Sequence, residues 1–180
     1  MHNEIYMSKD CLIYVGNNAI AELLIFAETY RKLQLTIICD LIEYQILGQI
    51  VEQSLKQAGF NVQTIVLSGE EVVPDEYYIV QIMLNLKNVD QIFLSVGSGT
   101  MTDLVRFISY RNRSPFISLP TAPSVDAYAS SGSALTIGRF KYHIELHSPI
   151  AIFANLGILC ALPRPMIASG FGDMHQNITN

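Results

Sequence analysis

With 180 residues, half of them hydrophobic, and a formal charge of −5, the chain has the composition of one globular domain able to bury a real core. That charge, with no Lys/Arg cluster to offset it, argues against a binder of nucleic-acid backbone. No apolar run is long enough to cross a bilayer and the first residues lack a signal-peptide pattern, so a cytoplasmic location is expected.

Read in chain order, the sequence alternates strand and helix patterns. Residues 12–15 form a short apolar strand, and Gly16-Asn17-Asn18 a turn. Residues 19–30 place Ile20, Leu23, Leu24 and Ala27 on one helical face. Residues 35–39 are continuously apolar, as a strand covered on both faces should be, and end on Asp40. A helix over 46–58 stops at Gly59, residues 62–67 form a third strand, and Pro74 suits the first turn of a helix reaching about residue 86. Strands follow at 91–96, at 116–119 before Pro120, and at 149–154. Residues 133–137 and 140–144 pair as a hairpin around Gly138-Arg139. Cys11, Cys39 and Cys160 have no metal spacing and lie among apolar residues, which reads as buried reduced thiols.

This alternation predicts an α/β fold, a Rossmann-like doubly wound parallel sheet with a β-hairpin insertion. Ligands of such sheets bind beyond the carboxyl ends of the strands. Three features fall there: Asp40, the turn Gly97-Ser98-Gly99, and Pro120-Thr121. The turn joins the strand at 91–96 to a helical pattern of Leu104, Phe107 and Ile108, with Thr100 as the expected N-cap and Asp103 three residues on in a capping-box arrangement. Glycines let a phosphate approach, and the free N–H groups of the helix start then face the anion. The spacing is not GxGxxG, because position 102 is Thr, and a tight turn without a ligand is the alternative. Asp40 can accept hydrogen bonds from ribose hydroxyls and repel a 2′-phosphate, or simply cap the next helix.

Beyond Pro120 the run TAPSVDAYASSGS is small, polar and longer than a plain turn needs, as functional loops often are. His143 and His147 lie four apart, but Tyr142, Ile144 and Leu146 alternate like a strand, so a partly exposed pair is expected rather than two metal ligands on a helix.

The runs GSGTMTDLVRFISYR, PFISLPTAPSVDAYASSGSAL, PIAIFANLGIL and MIASGFGDM together resemble the sn-glycerol-1-phosphate dehydrogenases. These belong to the group that includes glycerol dehydrogenase, iron-containing alcohol dehydrogenases and dehydroquinate synthase. The resemblance implies reversible hydride transfer between NAD(H) or NADP(H) and dihydroxyacetone phosphate, giving sn-glycerol 1-phosphate for lipid backbones. It implies that Gly99, Thr100, Met101, Thr102 and Asp103 cradle the cofactor pyrophosphate. Thr121, Ala122, Pro123, Ser124 and Ser130 would line the cofactor path, and Asp40 would hold the adenine ribose. Asp126 would contact substrate hydroxyls, and Asp173 would touch substrate and bind a divalent metal. A Zn²⁺ or Ni²⁺ ion in that role polarises the ketone oxygen.

The relatives continue into an all-helical domain that supplies two histidine metal ligands and a further substrate histidine, whereas this sequence stops seven residues after Asp173. The expectation is therefore a dinucleotide-binding domain over 1–162 and the stub of a truncated helical domain over 163–180. Such a chain would bind metal poorly and turn over slowly or not at all, with a homo-oligomer among its expected partners; as a non-catalytic remnant it would expose its apolar face at 150–158 to a partner. Two further readings compete: a non-catalytic nucleotide-binding remnant or half of a split enzyme, and a polyol oxidoreductase of the glycerol dehydrogenase type. A lyase of the dehydroquinate synthase type is opposed by the PTAPSVDAYASS run.

Overall fold

The structure, a computed structural model, describes residues 4–8, 11–122 and 127–161. Its centre is a seven-stranded sheet in the order β1-β2-β9-β6-β5-β3-β4. The strands are β1 (Glu4–Ser8), β2 (Cys11–Gly16), β3 (Gln34–Asp40), β4 (Val62–Leu67), β5 (Gln91–Gly97), β6 (Phe116–Pro120) and β9 (Ala151–Asn155). All pair in parallel except β1, which runs antiparallel to β2. β7 (Gly132–Ile137) and β8 (Phe140–Glu145) form a separate antiparallel hairpin.

Helices cover both faces, because each crossover must bury an apolar stripe on the sheet. On one face α1 (Ala19–Ala27) and α3 (Gln49–Gln57) bring Leu23, Val51 and Leu55 onto Leu35, Ile37, Ile92 and Leu94. On the other, α4 (Glu76–Asn85) and α5 (Gly99–Arg111) pack Ile79, Ile82, Leu104 and Ile108 onto Ile38, Phe93 and Phe116. Strands β5 and β6 are buried along their whole length, which accounts for their continuously apolar sequence.

Several boundaries differ from the sequence reading. The helix expected from 46 begins at α2 (Leu41–Glu43), capped by Asp40, and runs through a π-turn (Tyr44–Gly48) into α3. Pro74 lies before α4, whose N-cap is Asp75; its carboxylate accepts from the Tyr78 N–H at 3.1 Å. A short α6 (Leu156–Cys160), capped by Asn155, follows β9. Strand β1, which the sequence reading did not include, is a five-residue edge strand with Ile5 and Tyr6 exposed. The hairpin turns where expected. Gly138 (φ 57°) and Arg139 (φ 69°) both have positive φ, the requirement of a tight primed turn.

Within segment 150–158, Ala151 to Ala154 are not an exposed apolar face: β9 is a central strand between β2 and β6, with Phe153 packed among Leu23 and Ala27 of α1 and Ile152 beside Cys11 and Tyr128, whereas Leu156 and Ile158 of α6 are half-buried and Gly157 is exposed. Cys11 and Cys39 are buried free thiols as expected, but Cys160 is exposed at the end of α6. No helix of the described residues is long and apolar enough to cross a membrane.

Candidate dinucleotide site at the carboxyl edge

Strand order decides where a ligand can sit. From β3 the chain steps outward to β4. From β5 it steps the other way, to β6. The connections leaving β3 and β5 also cover opposite faces of the sheet. A crevice therefore opens between the carboxyl ends of these neighbours, the topological switch point of an open α/β sheet. It brings together Asp40 at the end of β3, the glycine turn after β5 and Thr121 after β6. The Thr121 N–H donates to the Gly97 carbonyl at 3.2 Å, which locks the last two together.

The glycine turn is tightly specified. Gly97 has φ +151°, and a Cβ there would stand 2.6 Å from Met101 Cγ and 3.3 Å from Glu43 Cγ, so only glycine fits. Helix α5 begins at Gly99, one residue before the expected Thr100 cap. Ser98 is the N-cap and makes no side-chain cap bond. The first N–H groups of a 13-residue helix are thus left without a side-chain acceptor, which fits a phosphate. Met101 and Thr102 are buried, and the Thr102 hydroxyl donates back to the Ser98 carbonyl at 3.2 Å. Only the backbone of these two residues is left to meet a ligand.

Asp103 does not close a capping box. Its Oδ1 receives Arg106 Nη1 at 2.9 Å, and the wholly buried Arg106 also donates to the carbonyls of Gly132 and Tyr128. Burial raises the Asp103 carboxyl above its usual range, against the opposing pull of Arg106. Asp103 therefore fixes the helix to the hairpin rather than pointing at an anion.

Asp40 accepts the Glu43 N–H at 2.8 Å, so it is a helix cap whatever else it does. Thr121 and Ala122 are buried, and the Ala122 carbonyl accepts the Tyr128 hydroxyl at 2.6 Å, anchoring the start of the long loop. Ser130 is exposed and donates to the Gly132 carbonyl at 3.3 Å. Pro123, Ser124, Asp126 and Asp173, expected to bind cofactor, substrate and metal, lie outside the described residues.

The expectation missed Glu43, whose carboxyl sits in this crevice. The only sequence signal was its spacing, three residues after the Asp40 cap, where a capping-box acid would stand. Among the described residues, no group of three or more His, Cys, Asp or Glu could hold a metal. His143 is exposed on β8, and His147, half-buried beyond the end of that strand, lies against Ser109. A cleft of about 610 Å³ lined by Arg111, Arg113, Ser114 and His147 is at the opposite edge, where β6 begins, and cannot serve a ligand of the glycine turn.

An open α/β sheet with a glycine turn and a bare helix start at its switch point is a doubly wound, Rossmann-like fold, the class whose ligands sit at this edge. More specifically, the chain belongs to the iron-containing alcohol dehydrogenase family, whose model matches residues 14–163. It is 35% identical over 171 residues to the glycerol-1-phosphate dehydrogenase, NAD(P)+-dependent by name, of Bacillus subtilis strain 168, covering 93% of this chain and 43% of that protein. It is 38% identical over 171 residues to the protein of the same name from Geobacillus stearothermophilus, covering 92% and 42%. The chain thus spans less than half the length of these relatives.

Glycerol dehydrogenase from Schizosaccharomyces pombe shares the fold with a TM-score of 0.84 at 21% identity, over 99% of this chain and 45% of that one. A 2-deoxy-scyllo-inosose synthase crystallised with carbaglucose-6-phosphate, NAD+ and Co2+ shares it at 0.74 and 16% identity, over 98% and 51%.

Proposed function

We propose that this chain is the dinucleotide-binding part of an NAD(P)-dependent oxidoreductase that interconverts dihydroxyacetone phosphate and sn-glycerol 1-phosphate. The observation that carries this reading is the crevice between β3 and β5, where the Gly97–Gly99 turn, the uncapped start of α5 and Thr121 converge. The relatives' names support the substrate and the cofactor class.

A nicotinamide dinucleotide bound there supplies or accepts the hydride. The residues of this chain bind and orient it. Backbone N–H groups from Gly99 onward meet the pyrophosphate, Asp40 holds the adenine ribose, and Thr121, Ala122, Pro123, Ser124 and Ser130 line the path toward the nicotinamide. Asp126 holds the substrate hydroxyls, and Asp173 contacts substrate and would contribute one carboxylate ligand to a divalent metal, which would polarise the ketone oxygen.

The test is a fluorescence titration with NADH and NADPH, followed by an assay of NADH oxidation with dihydroxyacetone phosphate and added Ni²⁺ or Zn²⁺. Binding with oxidation supports the full reading. Binding without oxidation reduces the chain to its nucleotide-binding role. Oxidation with unphosphorylated dihydroxyacetone alone would favour a polyol oxidoreductase. Absence of any binding would sink the proposal.

A further inference from the structure

We propose that the Glu43 carboxyl and the Thr121 hydroxyl are polar contacts for the bound dinucleotide, and that Glu43 takes up a proton as the nucleotide binds. The inference rests on the dinucleotide reading and deepens it, naming a binding residue and a pH dependence.

The geometry begins with Asp40. By accepting the Glu43 N–H at 2.8 Å it fixes the first helical turn after β3. Glu43 could then reach back to the cap, as an acid at this spacing often does. Instead it turns into the crevice, its Cγ 3.3 Å from where a Cβ of Gly97 would stand. There Glu43 Oε2 is buried with no hydrogen-bond partner. Thr121 Oγ1, on a residue only 2% exposed, is also buried without one. The two are near enough for the hydroxyl to favour the ionised carboxyl, yet form no well-aligned hydrogen bond. Buried polar atoms are nearly always satisfied, and two such atoms at the ends of adjacent connections, beside a glycine turn, mark a place for a polar ligand.

Charge sets the direction of the linkage. Burial raises the Glu43 carboxyl, the Asp40 carboxylate raises it further, and only Thr121 acts the other way. The Cys39 thiol on β3 is pushed up to about 12 and stays neutral. On α3, Glu52 is engaged by Tyr44 at 2.7 Å and by Lys56. On α5, Asp103 is engaged by Arg106. Among the described residues, no cation pairs with Glu43. A pyrophosphate at the start of α5 brings more negative charge beside it and favours the protonated form. The proton comes from solvent. The neutral carboxyl then donates to a ligand oxygen, while ionised Glu43 would repel the phosphates. Affinity must therefore fall as pH rises through the Glu43 titration.

The test is calorimetric titration of the whole chain with NADH across about pH 6 to about pH 8, in buffers of low and high ionisation enthalpy. The expected result is proton uptake on binding and a dissociation constant that rises with pH, approaching roughly tenfold per unit above the titration. Glu43→Gln should abolish both the uptake and the slope. If that variant fails to fold, Thr121→Val serves instead. Removing the hydroxyl that favours ionised Glu43 should move the midpoint to higher pH, which a merely structural role would not do. A flat pH profile with no uptake overturns this inference and leaves the dinucleotide reading standing, as does a slope that survives in Glu43→Gln or an unmoved midpoint in Thr121→Val. NADH failing to bind at any pH overturns both.

Discussion

Arg106 Nη1 lies 2.9 Å from Asp103 Oδ1, one turn away on α5, and the same guanidinium reaches the carbonyls of Gly132 and Tyr128. A single buried cation thus joins the helix that follows the glycine turn to both ends of the segment leading into the hairpin. The loop carrying Asp126 is flanked by Ala122 and Tyr128, which are themselves hydrogen-bonded. The clamp therefore links the start of α5 at the carboxyl edge to the segment from Tyr128 to Gly132.

Replacing Arg106 with Met should be costly, since it strands the Asp103 carboxyl and two carbonyls. Breaking a buried pair from one side typically costs about 3–5 kcal/mol. Urea denaturation measures it, and a loss below about 1 kcal/mol would mean that the clamp is dispensable. Asp103→Asn keeps an acceptor for Arg106 and should cost less than Arg106→Met.

Gly97→Ala should destabilise the chain by roughly 1–3 kcal/mol, because it combines an unfavourable φ with a collision against Met101. Dinucleotide affinity should fall as well, since the turn cannot keep its shape. An alanine variant with unchanged melting and unchanged NADH affinity would contradict the tightness of the turn.

Asp40 offers a way to separate capping from charge. Asparagine caps as well as aspartate, so Asp40→Asn should leave stability within about 0.5 kcal/mol. The same change removes the charge that would repel a 2′-phosphate, so affinity for NADPH should rise relative to NADH. Paired fluorescence titrations decide it. An unaltered NADPH to NADH ratio would leave Asp40 as a cap alone.

His147 supplies a pH dependence of stability. The Ser109 hydroxyl donates to the Arg106 carbonyl at 2.9 Å and lies 2.7 Å from His147 Nε2, so the histidine carries its proton on Nε2. Burial first, and Arg106 second, lower its pKa. The unfolded chain therefore binds the extra proton more readily than the folded one, and stability rises with pH. Stability contributed by neutral His147 should be complete above about pH 6.5 and should be lost as pH falls below it. Denaturation midpoints measured between about pH 5 and about pH 8 should show this slope, and His147→Gln should flatten it.

Much of the fold was legible because buried parallel strands announce themselves. The segments around Ile37, Leu94 and Ile117 are continuously apolar since helices cover both faces. β1 was not legible, because a five-residue edge strand with exposed Ile5 and Tyr6 shows neither a long buried run nor a clean alternation. The start of α2 was missed because Leu41 and Ile42 are exposed and supply no helical stripe. Asp40, Gly99 and Thr121 could be named in advance, since strand ends and glycine turns leave sequence marks. Glu43 and Arg106 could not. A charged residue on a helix reads as a solvated face until packing shows what lies against it.

The local chemistry was thus written in the chain: which segments are strands, where the backbone can turn sharply, and which loop departs from the pattern. Whether those marks form one site depended on strand order. Only the placement of β3, β5 and β6 side by side, with their connections on opposite faces, opens the crevice and turns the Glu43 carboxyl into it. Sequence periodicity reports how each element meets the core. It carries no information on which elements become neighbours, because that is fixed by long-range packing of the whole sheet.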